Sequence, residues 1–364
     1  MADGQLGTVR CRIEQFVGPS SGLCVRRQRL RFVRSSSLAK RRESLLVDRY
    51  IGLDLGGTNI DYTVIEVDPG ETRPTVVATD KVRTRAHQGP ERVRDRLIEV
   101  GKKLTAEYGS VVGVGVGVPG LFDAQTGAIE FLPNLPGPWE GFSLGDPVSE
   151  GIEAPATLIN DARAFTLAEG TIGAGADAKV MLGVTLGTGI GGGIMIDGSL
   201  HLGAFGTAGE FGHQTVDPNG PVCGCGNHGC LEAVAKGSEI AKAAGVENAV
   251  AAYTAAAEKD PRALDAIAHA SYFMAIGIAN VVTVFGVDTV VLGGGIMSAG
   301  DLVLNPLVSA LHARLTLVPA SRVTIVKAAL GVKAGAVGAA LAARSQESDS
   351  AKQLPVIGRS IGEE

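Results

Sequence analysis

At 364 residues, 45% hydrophobic and 20% charged, the chain has the make-up of an ordinary globular protein long enough for two domains with separate cores. Its 51 glycines and only 4% aromatics suit an α/β protein with many glycine turns around a ligand. The net charge of −5 is uneven: residues 1–49 hold 11 Lys and Arg against 4 Asp and Glu, the remainder 22 against 34, and so acidic a body argues against a nucleic-acid-binding core.

Residues 1–49 show no sustained helical or strand period, and Pro19-Ser20-Ser21-Gly22 breaks any element there. They read as a disordered basic extension, or as translated sequence upstream of the true start. A DNA-binding arm or an Arg- and Ser-rich organellar presequence are the alternatives by composition. No apolar run follows the early charges as a secretory signal requires, so the expected compartment is the cytoplasm.

From Tyr50 the pattern becomes regular. Tyr50 to Leu55 is a buried strand, Gly56-Gly57-Thr58-Asn59 the turn after it, and Asp61–Val67 and Thr75–Arg83 two further strands. Pro90 to Tyr108 reads as a helix with Val93, Leu97, Val100 and Leu104 on one face. Val111 to Val118 is a strand, and Pro133 to Trp139 is a proline-stiffened loop whose tryptophan is either a binding-site wall or a core plug. Thr157 to Ile159 is a strand, and Asn160-Asp161 opens a helix through Glu169.

A second cycle starts at Val180. Met181 to Leu186 is a strand, Gly187-Thr188-Gly189 its turn, and Gly192 to Ile196 the returning strand. Val180 to Ile196 is also the strongest candidate for a membrane span, but six glycines and two threonines interrupt it, so no stretch is read as a span. The echo of the first strand and its glycine turn, roughly 130 residues on, suggests two related lobes. Helices at about 237–244, 246–258 and 261–285 follow. A strand at 288–292 then enters Gly293-Gly294-Gly295, followed by a helix near 301–315, a strand at 323–327 and a small-residue helix at 333–344. Residues 50–160 form a small lobe rejoined by that last helix, residues 161–332 a large lobe, and 346–364 a flexible tail.

Three features carry chemistry. Cys223-x-Cys225-x4-Cys230, with His213 ten residues upstream, offers three thiolates and an imidazole, the tetrahedral set of a structural zinc; a disulfide would require an oxidising compartment. The glycine turns at Asp54–Asn59, Gly187–Gly193 and Gly293–Gly295 each follow a buried strand, where main-chain N–H groups can cradle phosphate. None is a P-loop, and a glycine turn can simply reverse the chain. Asp54, at a strand end beside the first turn, can hold Mg²⁺ on the phosphates or cap the turn. Asp161 can take a proton from a sugar hydroxyl or cap its helix.

Taken in order, Asp54-x-Gly56-Gly57-Thr58, Asn160-Asp161, Thr185-x-Gly187-Thr188-Gly189-x-Gly191-Gly192-Gly193, Gly209-Glu210-x-Gly212-His213, the cysteine knot and Leu231-Glu232 resemble the ROK family of sugar kinases and sugar-responsive repressors. Within that family the sequence is most similar to ATP-dependent glucokinases. The resemblance spans about residues 50–345 and implies a two-lobed α/β actin-like ATPase (ribonuclease H-like) fold with an interlobe cleft. It implies Asp161 as general base on the sugar 6-hydroxyl, with Asn134, Asn160, Glu210, His213 and Glu232 binding the sugar. His213 would serve zinc through one ring nitrogen and sugar through the other. ATP phosphates would lie between the Asp54–Asn59 and Gly187–Gly189 turns with Mg²⁺ on Asp54, and adenosine near Gly293, Gly294 and Gly295. A homodimer or homotetramer is implied, without nucleic-acid or membrane partners. One departure stands out: many members carry Lys or Arg just after the first turn, where this chain has Asn59 and Asp61.

The resulting expectation is a kinase that converts glucose to glucose 6-phosphate. Mannose, N-acetylglucosamine, N-acetylmannosamine and fructose are the alternative substrates, because the motifs do not separate epimers. A sugar-responsive repressor is the competing function.

Overall fold

Two five-stranded sheets repeat one plan. In the first, β1 (Asp48–Leu55), β2 (Asn59–Val67) and β3 (Thr75–Arg83) form an antiparallel meander. After helix α1 (Pro90–Tyr108), β4 (Gly113–Val118) pairs parallel with β1. The short antiparallel pair β5 (Leu121–Phe122) and β6 (Ile129–Phe131) and helix α2 (Gly145–Ile152) then lead to β7 (Ala156–Asn160), parallel with β4. In the second sheet, β8 (Val180–Leu186), β9 (Ile190–Ile196) and β10 (Ser199–Leu200) form the meander, and β11 (Thr289–Gly293) and β12 (Thr324–Lys327) extend it in parallel. The strand orders are β3-β2-β1-β4-β7 and β10-β9-β8-β11-β12, so the doubled strand–turn–strand unit read from the sequence is present. This computed structural model describes residues 47–123, 126–133, 135–204 and 206–349; Asn134, nearly all of the basic extension and most of the C-terminal tail lie outside them.

Each sheet has its own core, and a third cluster joins them. The expected face of α1 is buried, with Val93 and Leu97 fully enclosed against β1, β4 and α2. The second sheet is covered by α4 (Leu231–Ala235), α5 (Gly237–Ala244), α6 (Ala249–Ala257), α7 (Pro261–Phe285) and α8 (Asp301–His312). Between the sheets lie α3 (Asp161–Thr171) and α9 (Ala334–Asp349). Their small residues are a packing requirement. A Cβ at Gly115 would strike the Ala339 backbone, and one at Gly338 the Ala164 backbone, so α9 lies directly on both β4 and α3.

Three outcomes were not legible beforehand. Trp139 is a plug: 3% exposed, it stacks edge-on against Phe142 and donates its indole N–H to the Pro136 carbonyl at 3.2 Å. Glu169, fully buried on α3, accepts from the backbone N–H groups of Ala174, Ala329 and Leu330 at 2.8–3.0 Å. It thereby ties α3 to the segment that leads into α9. Among the described residues α7, not the Val180–Ile196 stretch, is the one helix long and apolar enough to cross a membrane. Its Ala263, Ile267, Ala270, Met274, Ile278 and Val282 are buried in the second core, as in the central helix of a folded domain.

Candidate active site and metal centre

Both β-hairpins present a glycine turn at the same place in the repeat. In the first, Leu55 faces Ile60 and the Gly56 N–H bonds the Asn59 carbonyl at 2.9 Å. Buried Thr84 braces this turn, donating its N–H to Thr58 O at 3.0 Å and its hydroxyl to Gly56 O at 2.6 Å. In the second, Leu186 faces Ile190, and the Gly187 carbonyl accepts from Gly237 N at the start of α5, at 3.3 Å. The third turn adjoins the second, since a Cβ on Gly294 would meet the Leu186 backbone. Gly294 also has φ 90°, a conformation that glycine adopts without strain. Gly293 packs on the Phe165 ring, while Gly295 has open space around its Cα.

Asp54 stands beside the first turn, paired across β1 and β2 with Asp61. Its carboxylate leaves no room for a side chain at Gly335 in the first turn of α9. Burial, then the charges of Asp161 and Asp61, push its pKa up to about 7. A carboxylate so poised favours a cation partner. Asp61 occupies the region where the family often places a basic residue. Its own carboxyl is raised by burial and lowered by Lys81, its register partner on β3. Two acidic groups, Asp54 and Asp61, thus face one another across β1 and β2.

Asp161 is the first residue of α3, and the capping role falls mainly to its neighbour. Asn160 is the N-cap, its Oδ1 accepting from the N–H groups of Ala162 and Arg163 at 3.0 and 3.2 Å. Asp161 adds one local bond, Oδ1 accepting from Ala162 N at 2.8 Å, and the residue is exposed to solvent. Enclosure by the surrounding protein pushes its carboxyl above the usual carboxylate range. The Ala162 N–H opposes that rise, Glu210 adds to it and Arg163 counters it. These influences place Asp161 within electrostatic reach of both Asp54 and Glu210.

Of the residues expected to bind sugar, Glu210, His213 and Glu232 are each anchored by one polar atom and retain another, while Asn160 is held at both Oδ1 and Nδ2 and keeps only its second Nδ2 hydrogen. Asn160 donates one Nδ2 hydrogen to Gly120 O at 3.3 Å. Glu210 Oε1 accepts from Arg163 at 2.7 Å. Glu232, on α4, accepts from Ile190 N at 2.9 Å through Oε2, against Gly189 of the second turn. His213, ending a 3-10 turn (Phe211–His213), sets Nδ1 at 3.6 Å from Cys223 Sγ. Among the described residues, no hydrogen bond involves Glu210 Oε2, Glu232 Oε1 or His213 Nε2. Asn134 is outside the described residues.

The metal-ligating set assembles as the spacing implied. The ligand atoms of His213, Cys223, Cys225 and Cys230 all lie within 4.8 Å of one another. The cysteines are free thiols, with Cys225 and Cys230 sulfurs at 3.7 Å, far beyond a disulfide bond. Isolated strand-like bridges from Thr215 to Cys230 and Val222 to His228 shape the loop. Burial pushes the Cys230 thiol up to about 12, while the Asn227 N–H draws the Cys225 thiol down. Three thiols and one imidazole fit a tetrahedral zinc.

Arg163 escaped sequence reading. Its side chain is 7% exposed, and it donates Nη2 to Glu210 and Nε to Ala208 O at 3.2 Å. The one available signal was a charge two residues after the candidate base in a helix rich in small and apolar residues, which burial would oblige to find a partner.

Comparison with known proteins places this geometry. The ROK family matches residues 50–346. A glucokinase from Halalkalibacterium halodurans is 33% identical over 327 residues, covering 83% of this chain and 97% of its own. A xylose repressor from Bacillus subtilis is 28% identical over 297 residues, 79% of this chain and 75% of its own. An N-acetylmannosamine kinase from Escherichia coli is 33% identical over 303 residues, 82% of this chain and 99% of its own. Among solved structures, a ROK hexokinase from Thermus thermophilus superposes with TM-score 0.75 at 34% identity, covering 83% of this chain and 99% of its own. A ROK glucokinase from Streptomyces griseus, in complex with glucose and AMPPNP, gives 0.67 at 32%, covering 82% and 99%. The two-sheet architecture is therefore the actin-like ATPase fold expected from the sequence, and the chain belongs to the ROK family.

Proposed function

We propose that this chain is an ATP-dependent hexokinase that transfers the γ-phosphate of Mg-ATP to the 6-hydroxyl of glucose. Sugar kinase activity rests on kinase relatives that this chain matches along almost their whole length; glucose and the assignment of roles are the further step. The observation that carries it is Asp161, exposed and with its carboxyl raised, at the head of a capped helix and within electrostatic reach of Asp54 beside the first glycine turn.

In this reading Asp161 accepts the 6-hydroxyl proton as the oxygen attacks the γ-phosphorus. Asn160, Glu210, His213, Glu232 and Asn134 take the other hydroxyls, so the sugar is oriented before transfer. Main-chain N–H groups of Gly57, Thr58, Asn59, Thr188 and Gly189 hold the phosphates, Gly56 and Gly187 close the two turns through their own N–H bonds to Asn59 O and Gly189 O, and Gly293–Gly295 border the adenosine. Asp54 would hold Mg²⁺, which supplies charge neutralisation to the phosphates. His213, Cys223, Cys225 and Cys230 would hold zinc, fixing the imidazole tautomer. A homodimer or homotetramer completes the reading.

ADP release from Mg-ATP should be measured across glucose, mannose, fructose, N-acetylglucosamine and N-acetylmannosamine. Glucose is expected to give the highest kcat/KM. Preference for another sugar would reassign the substrate. No turnover on any of them by folded protein would overturn the kinase reading, and salt-dependent DNA binding by that protein would favour the repressor.

A further inference from the structure

We infer that Arg163 is the positioning residue that sets sugar affinity, its guanidinium holding the Ala208–Glu210 segment and the Glu210 carboxylate in register with the helix that supplies Asp161. The inference rests on the kinase reading for the identity of the ligand, and on geometry for the rest. Arg163 lies in the first turn of α3, where Asn160 Oδ1 accepts its backbone N–H, so its root is fixed by the cap. A buried guanidinium cannot shed its charge and must be matched where it lies. Both matches fall on one short segment: the Ala208 carbonyl at 3.2 Å from Nε and the Glu210 carboxylate at 2.7 Å from Nη2.

Two donors of one rigid fork therefore grip two points two residues apart, which fixes the segment's orientation as well as its distance. The Glu210 side chain is 37% exposed against 7% for Arg163: the arginine is the enclosed anchor, and the carboxylate is the end that reaches solvent. With Oε1 engaged, Oε2 is the oxygen left for a hydroxyl. The same grip ends three residues before His213, the other sugar contact on that segment. Losing it would loosen sugar binding while leaving both phosphate turns, which Arg163 does not touch, as they are. That is a uniform-binding loss, which raises KM more than it lowers kcat. Lysine offers one point charge and no fork, so it restores the charge without the orientation.

The test compares R163L, R163K, E210Q and the R163L/E210Q double variant with the wild type. Hexose affinity is read by calorimetric titration, alongside KM for hexose and ATP. R163L is expected to weaken hexose binding and raise hexose KM roughly 10- to 100-fold, the scale of a charge-assisted bond, with KM for ATP and kcat changed by less than about threefold. R163K should fall between R163L and the wild type. In the E210Q background, R163L should cost clearly less than in the wild type, because the charge pairing is already gone while the Ala208 bond remains to be lost. Equal factors in both backgrounds, or wild-type hexose affinity in R163K, would overturn the inference; the R163K arm decides even if the unpaired carboxylate keeps R163L from folding. A wild type that binds hexose without phosphorylating it would refute the kinase reading alone, since the titration needs no turnover, and one that binds no hexose would refute both.

Discussion

Asp161→Asn is expected to lower hexose phosphorylation by about two to four orders of magnitude, the contribution of a positioned general base. The substitution is nearly isosteric, and the amide oxygen can still accept from Ala162 N, the one local bond Asp161 makes. The α3 cap belongs to Asn160, so the helix should persist and the melting temperature should change little. What disappears is the proton acceptor. Steady-state kcat with saturating sugar and ATP reads the effect, and a variant retaining near-wild-type kcat would remove Asp161 from the reaction. The pH dependence supplies a second reading of the same residue. A base works when ionised, and the Asp161 carboxyl is raised by enclosure and by Glu210. Activity should therefore be full on the alkaline side and fall, as pH drops, through a pKa above the ordinary carboxylate range. Glu210→Gln removes one of the raising charges, so the acid limb in that variant should move to lower pH.

Loss of the zinc ligands is the second large effect. The four ligand atoms come from a 3-10 turn and a loop with almost no apolar core of its own: Cys223, Cys230 and Ala233 make up its buried cluster. Such a loop depends on its metal for order. The wild type should contain one zinc per chain by elemental analysis, and Cys230→Ser should lose it. Cys230 is fully buried and also packs its sulfur at 3.3 Å on the His213 carbonyl. Sugar KM is expected to rise by about 10- to 100-fold, the range for losing control of a metal-bound histidine, because the proposed function has His213 serve both metal and sugar. Cys225→Ser, at the exposed corner, should be milder. ATP binding should suffer least, since the glycine turns lie on the two hairpins. Protein purified under reducing conditions without zinc, yet with full activity, would contradict this account.

How much of this could be read beforehand depended on how local each cause is. The glycine turns were legible because a glycine cluster after a buried strand leaves few backbone options, and the metal set because ligand type and spacing carry the chemistry. The α1 face was legible from Val93, Leu97, Val100 and Leu104 recurring at helical spacing. Helix α2 was missed, since Gly145-Asp146-Pro147 and Gly151 are poor helix formers that only tertiary packing of Val148 and Ile152 rescues. The fate of Trp139 depended on whether its N–H found a partner, which Pro136 supplies. Glu169 and Arg163 were invisible for a different reason. Their partners lie about 160 and 47 residues away in sequence, and no periodicity reports a bond across such a distance. The acidic Asp61 after the first turn was read from the sequence, whereas the buried Arg163 on α3, paired with Glu210, was not.

The most direct test of the central claim is where the phosphate goes. With γ-labelled ATP and Mg²⁺, glucose should yield labelled glucose 6-phosphate, and 6-deoxyglucose, which can bind but lacks the hydroxyl that Asp161 would deprotonate, should yield no labelled sugar. Label appearing on 6-deoxyglucose, or on a glucose oxygen other than O6, would contradict the placement of Asp161 as base for the 6-hydroxyl.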